Sequence, residues 1–168
     1  MQIRQLNLED APALQSLRRI ADVDGTLGRP VERQRALTLE CIEQQLRPPF
    51  ETLGYFIGED MVGSASLSRM PECPIDPEAT DWFGLSSVIV HPDFRGRGIG
   101  RALLDECISR ASKHGAKGML LVVNVPNPGA VALYESFRFE TWSTYEGAYE
   151  HNGQRIDQLS MRKWLNVA

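Results

Sequence analysis

Cysteine is scarce: Cys41, Cys73 and Cys107 are the three in 168 residues, and they stand far apart. An odd count with no CxxC pair, and no histidine pair at ligand spacing beside it, leaves neither a disulfide framework nor a zinc site. No metal is expected, and a reducing compartment suits such thiols. Long apolar runs are also missing. The longest aliphatic stretch, Met119 to Val123, is far below the roughly 20 residues of a membrane-spanning helix. The opening MQIRQLNLED has no basic start leading into an apolar core, so the expected setting is cytoplasmic with no membrane partner. Basic charge is short too: 18 Lys and Arg against 22 Asp and Glu give a net −4, with a pI near 5.4. Non-specific nucleic-acid affinity comes from cations that neutralise phosphates, so no nucleic-acid partner is expected and any anion site must be local.

What remains is an ordinary globular composition, 42% hydrophobic and 24% charged. The length suits one domain over residues 1–168, and no repeat or low-complexity tract divides it. Residues 3–6 suit a short strand. Asn7 and Asp10 have capping-box spacing ahead of Leu14, Leu17 and Ala21, which predicts a helix over 8–20. A loop with Gly25 and Gly28 follows. A second helix is expected over 32–47, stopped by Pro48 and Pro49. Residues 53–57 and 61–67 flank Gly58-Glu59-Asp60 as a hairpin, and Pro71, Pro74 and Pro77 mark a loop.

The apolar run 83–90 ends at His91-Pro92 and reads as a buried strand. Ile99, Leu103, Leu104, Cys107, Ile108 and Ala111 then form the stripe of a helix that should stop near Gly115. Residues 119–123 give the next strand. Asn127 and Pro128 open a helix carrying Val131, Tyr134 and Phe137, and strands over 141–149 and 154–164 flank His151-Asn152-Gly153. Hairpins mixed with a strand-helix-strand crossover over 83–124 predict an α/β domain built on a mixed sheet flanked by helices.

The turn from the buried strand into the striped helix is unusual. Arg95-Gly96-Arg97-Gly98-Ile99-Gly100-Arg101 places three glycines and three arginines at a helix start. There the first amides lack intrahelical acceptors and the dipole favours an anion such as a pyrophosphate. The glycines remove Cβ atoms from its approach, and the arginines add charge that the acidic chain otherwise lacks. A P-loop is excluded because Gly-Ile-Gly-Arg replaces Gly-Lys-Ser/Thr, and the GxGxxG fingerprint fails at Arg101. The bland alternative is a tight turn with a solvated basic rim.

Arg95, Gly98 and Gly100, following a strand that ends in His-Pro, resemble the acetyl-CoA pyrophosphate loop of the GNAT N-acetyltransferases. A second block is similar to their Asn-x-x-Ala…Tyr-Glu…Gly-Phe pattern, here Asn127, Ala130, Tyr134, Glu135 and Phe139. Together the blocks span residues 85 to 139. One departure is visible: Arg138 stands where the family usually has glycine, which bears on the left-handed turn after the helix and on the placement of the last two strands.

The resemblance implies a GNAT-like, largely antiparallel sheet and acetyl-CoA as co-substrate, with acetyl transfer to a primary amine through a tetrahedral intermediate. The implied cofactor-binding residues are Val88, Ile89 and Val90 on a splayed strand, the turn residues Arg95, Gly96, Arg97, Gly98, Ile99, Gly100 and Arg101, and Asn127 and Tyr134. The Val88 amide would face the thioester oxygen, and Tyr134 would protonate the leaving thiolate. A packing role for Tyr134 and a capping role for Asn127 are the alternatives from the residues alone. The general base stays open between Asp81, His91 and a water chain, because Gly84 occupies the position where relatives carry a strand carboxylate. Of these, Asp81 is the candidate catalytic carboxylate.

The remaining singled-out residues have ordinary readings: Cys107 as core, and Trp82, Trp142 and Trp164 as packing or interface residues. Asp22, Asp24, Glu146 and Glu150 suit a solvated surface unless they face a cleft. A small-molecule amine is the expected acceptor, met by the loop 22–30 and the last hairpin. The competing readings are a non-catalytic acyl-CoA sensor and an acetyltransferase acting on a protein N-terminus or lysine. Strand edges near the C-terminus offer a route to a homodimer.

Overall fold

The computed structural model describes residues 1–22, 37–71, 81–151 and 153–165. After strand β1, Gln2–Gln5, the capping box forms as its spacing predicts. Asn7 Oδ1 accepts from the Glu9 N–H at 2.8 Å, and the Asp10 carboxylate accepts from the Asn7 N–H at 2.9 Å. The single helix expected over 8–20 is nevertheless split into a 3₁₀ turn, Leu8–Asp10, and helix α1, Ala11–Asp22. Pro12 has no N–H to return to the Leu8 carbonyl, so an unbroken α ladder cannot cross the joint.

Helix α2, Leu39–Gln44, is shorter than the expected 32–47. Thr38 is extended and its Oγ1 accepts from the Cys41 N–H at 3.3 Å, which sets the start. Residues 32–36 lie outside the described residues, as do the loop with Gly25 and Gly28, Pro74 and Pro77, Cys73 and Asn152. The hairpin strands β2, Phe50–Ile57, and β3, Asp60–Arg69, run longer than their apolar cores and turn at Gly58, φ +61°.

Strand β4, Trp82–Val90, leads through the arginine-rich turn into helix α3, Ile99–Lys113, and strand β5, Gly118–Asn124. Helix α4, Pro128–Ser136, and strands β6, Glu140–His151, and β7, Gln154–Trp164, complete the described elements. They form a seven-stranded sheet in the order β1-β2-β3-β4-β5-β7-β6. All neighbours are antiparallel except β4 and β5, so the sheet is mixed and largely antiparallel.

Alternation along β4 shows which helix covers which face. Ile89 packs with Leu17 and Ala21 of α1, whereas Val88 and Val90 join the cluster of Ile99, Leu103 and Leu104 on α3. The α3 stripe is fully buried at Leu103, Leu104, Cys107 and Ala111. Each large apolar side chain so buried contributes about 1.5–3 kcal/mol. Gly63 of β3 permits the close crossing, since a Cβ there would lie 2.8 Å from Ile99 Cγ2. Among the described residues no helix is long and apolar enough to cross a membrane.

Candidate active site

The sheet opens at the parallel joint between β4 and β5. β4 and β5 pair over Trp82–Gly84 against Gly118–Leu120 alone, so beyond Gly84 the β4 edge facing β5 has no ladder partner. A bulge adds to the divergence. Between Ser64↔Ile89 and Ser66↔Ser86, β3 advances two residues while β4 advances three, and Ser87 takes φ +53°. That extra residue re-aims the strand: Leu85 and Val88, three apart, both join the α3-side cluster.

Two clefts abut at this bulge. The first, about 530 Å³, is lined by Val88, Ile89 and Val90 of β4, by Arg95, Gly96, Gly98, Ile99, Gly100 and Arg101 of the turn, and by Asn127 and Tyr134 of α4 and its cap. The second, about 450 Å³, begins at Gly84 to Ser87 and continues over Leu120 to Val122 of β5, Met70, Ser160 of β7, and Trp142 and Tyr145 of β6. The boundary between them falls at Ser87 and Val88.

The glycine turn leaves the first cleft open to the backbone. Gly96 and Gly98 have φ +74° and +79°, and a Cβ at either would meet nothing within 4 Å. Gly98 is the N-cap of α3 and offers no side-chain acceptor. The first helical bond runs from the Ala102 N–H to the Gly98 carbonyl at 3.0 Å. The amides of Ile99, Gly100 and Arg101 therefore sit in the first turn, where the helix itself provides no acceptor. Two arginines flank them: Arg95 Nε donates to the Val90 carbonyl at 3.2 Å, and Arg101 lies over the Phe137 ring at 4.8 Å. This cradle of small residues, orphan amides and cations fits a diphosphate. Arg97 does not line the cleft. It donates to the Asp93 carbonyl at 3.0 Å and lies over Phe94.

Tyr134 is buried in the cleft wall, and burial pushes its phenol up to about 12. Its position is held by the end of α4. The Phe139 N–H donates to the Tyr134 carbonyl at 3.1 Å and the Arg138 N–H to the Glu135 carbonyl at 2.8 Å. This is a Schellman pattern, with the Tyr134 and Phe139 rings edge-on at 6.0 Å as its apolar contact. Arg138 adopts φ +62°, so the left-handed turn survives without glycine and β6 follows as in the expected order. Asn127 Oδ1 accepts from the Ala130 N–H at 3.2 Å, so the residue both caps α4 and lines the cleft.

Asp81, the candidate carboxylate, lies outside both cleft linings. It sits at the paired end of the β4–β5 joint, with its carboxylate 3.3 Å from Lys117 Nζ and 3.8 Å from Arg69 Nη1. The strand rise puts it roughly 20 Å from Val88. His91 lies outside both linings, with Nδ1 accepting from the Asp93 N–H at 3.3 Å. Among the described residues no carboxylate or imidazole lines either cleft. Glu146 and Glu150 are exposed and outside both, and Asp24 lies outside the described residues.

Cys107 is buried on α3, and burial pushes its thiol up to about 12, as suits a core residue. Trp82 is buried and meets the Trp164 ring edge-on at 4.8 Å, also a packing arrangement. Sequence reasoning missed Phe94, Gly129 and Leu133 in the first cleft, whose lining also includes Ala130 of the matched block, and in the second it missed Tyr145 and gave Trp142 a packing role alone. The β6 pair could have been found only from its strand register against β7.

The chain that folds into this split sheet and glycine-lined cradle matches the model of the acetyltransferase (GNAT) family over residues 14–139 and belongs to that family. Particular relatives share parts of it. The chain is 35% identical over 93 residues to the [ribosomal protein bS18]-alanine N-acetyltransferase of Escherichia coli, covering 55% of this chain and 63% of that one. It is 32% identical over 118 residues to the mycothiol acetyltransferase of Thermobifida fusca, covering 66% of this chain and 36% of the other. It thus spans less than two thirds of the length of these curated relatives. The yncA protein of Salmonella typhimurium, solved with its cofactor acetyl-CoA, shares the fold at a TM-score of 0.77 and 20% identity, over 100% of this chain and 95% of that one.

Proposed function

We propose that this chain transfers an acetyl group from acetyl-CoA to the primary amine of a small molecule, in a cytoplasmic setting. The observation that carries the reading is the meeting of two clefts at the β4 bulge, one suited to an anionic cofactor and one with no acidic or basic side chain among its described lining. Acetyl-CoA supplies the activated acyl group. The amides at the start of α3, with Arg95 and Arg101, hold its diphosphate. The unpaired edge of β4 beyond Gly84 receives the pantetheine arm as an added strand, with Asn127 beside it.

The Val88 N–H, set next to the bulge, donates to the carbonyl oxygen on which charge builds as the amine adds. A preorganised donor of this kind is worth about 3 kcal/mol. Tyr134 stays protonated at neutral pH because burial holds its proton, so it is charged with a proton for the departing thiolate. Asp81 takes no part, since its carboxylate is committed to Lys117 and Arg69. The apolar second cleft disfavours an ammonium ion, which supports loss of the amine's first proton to water on entry; the second, released from nitrogen as the C–S bond breaks, replaces the proton that Tyr134 gives to sulfur.

Acetyl-CoA should raise the thermal midpoint of the wild type and leave that of Gly98→Glu unmoved, because the new carboxylate repels the diphosphate. Release of free CoA with a panel of amines then measures turnover. The lack of a carboxylate or imidazole among the described lining residues also favours a second reading, an acyl-CoA sensor. Thermal protection without CoA release from any amine would favour it.

A further inference from the structure

The reading above leaves the acceptor's chemistry open, and the second cleft bears on it. Its walls are aromatic and aliphatic: Trp142 and Tyr145 of β6 face Leu120 and Val122 of β5, with Met70 at one side. Among the described residues no Asp, Glu, Lys, Arg or His lines it. Val122 and Tyr145 remain 57% and 50% exposed, so apolar surface stands open to solvent at this point of the sheet. The hydroxyls of the described lining belong to Ser86, Ser87, Ser160 and Tyr145, and Ser86 and Ser87 sit at the bulge, beside Val88.

Charge and shape together restrict the occupant. A diamine or polyamine would bring a second cation against walls whose described residues offer no counter-ion. An amino acid would bring a carboxylate with the same difficulty, and burying either unpaired charge is expensive. One amine, placed at the bulge, with an aromatic or branched apolar body spread against Trp142 and Tyr145, meets no such penalty. A volume of about 450 Å³ falls in the range of small-molecule sites. We propose that the acceptor is a small monoamine with an aromatic or apolar body, and that Trp142 and Tyr145 set this specificity. The proposal rests on the acetyl-transfer reading.

The test compares 2-phenylethylamine and hexylamine with 1,6-diaminohexane, glutamate and a short peptide with a free N-terminus, each with acetyl-CoA, by free-thiol release. The monoamines should exceed the others in kcat/KM by at least about tenfold, the scale of one buried apolar group in a pocket. In Tyr145→Asp, a half-exposed position where folding should be spared, the ratio of hexylamine to diaminohexane should fall by about tenfold. Its thermal protection by acetyl-CoA should stay intact. A preference for the diamine, the amino acid or the peptide overturns the proposal, as does an unchanged ratio in the variant. So does protection by acetyl-CoA with no turnover of either monoamine. Loss of protection in the wild type is a different failure, since it removes the acetyl-transfer reading itself.

Discussion

Arg138 has a positive φ without being glycine, and it does so at the one residue whose conformation closes the Schellman turn behind Tyr134. A left-handed conformation costs a non-glycine residue about 1–2 kcal/mol, part of which glycine would return as unfolded-chain entropy. Arg138→Gly should therefore stabilise the fold by about 1 kcal/mol, read as a higher urea midpoint with an unchanged slope. A loss of stability would mean that the guanidinium contributes more than the backbone strain removes. Tyr134 itself gives a separate test. Tyr134→Phe should lower kcat by about 10²-fold, the scale of general-acid catalysis, with acetyl-CoA affinity unchanged. Because burial raises its phenol to about 12 from the ordinary 10.0, the proton is present at any lower pH and is lost only as pH rises towards that value. An alkaline fall in kcat below pH 10 that persists unchanged in Tyr134→Phe would show that a group other than Tyr134 supplies the proton. At this scale the sequence was informative where a residue type has few uses, as with three glycines at a helix start. The surroundings of Asp81 were not legible, because pairing with Lys117 and Arg69 depends on β4 and β5 lying side by side.

Elements were legible where a local bond defines them. Asn7 and Asp10 close their capping box within four residues, and Asn127 caps α4. Element ends were less so, because Pro12 divides the first helix and Thr38 starts the second later than apolar spacing suggests. The first cap is tied to the sheet through Arg4, whose Nη2 lies 2.6 Å from Asp10 Oδ1 and whose guanidinium lies over Phe56 at 4.3 Å. Hydrogen bonds from Arg4 hold the Asp10 carboxyl below its usual range. With the folded value depressed, this stabilisation is fully present above the unfolded carboxylate value and fades as pH falls through the folded one. Asp10→Asn should cost about 1 kcal/mol at neutral pH, as lost caps do. The difference from wild type should shrink on acidification through the carboxylate range, followed by urea titration at several pH values. A difference that grows in acid would show that the ion pair is not its source.

The whole molecule is two sheet segments joined by a short parallel seam. β1 to β4 form one ladder and β5, β7 and β6 the other, while three register pairs from Trp82 to Gly84 and Gly118 to Leu120 connect them. Both clefts owe their width to the divergence past this seam, and a divergence cannot be read from residues that are each good strand formers. It arises from where pairing stops and from one extra residue at Ser87. The seam's weak point is Gly118, where a Cβ would sit 2.5 Å from the ring of the buried Trp82. That ring is held edge-on by Trp164, so it has little room to withdraw. Gly118→Val should force the seam apart and cost about 1–3 kcal/mol by overpacking, with a thermal midpoint lower by about 2–4 °C per kcal/mol. Because the clefts share the seam, the variant should weaken acetyl-CoA protection and raise the KM for the amine together. Gly98→Glu, by contrast, strikes the cofactor cradle alone. A Gly118→Val protein that loses stability while keeping both affinities would show that cleft width is set by the bulge and the helices, not by the paired end of the sheet.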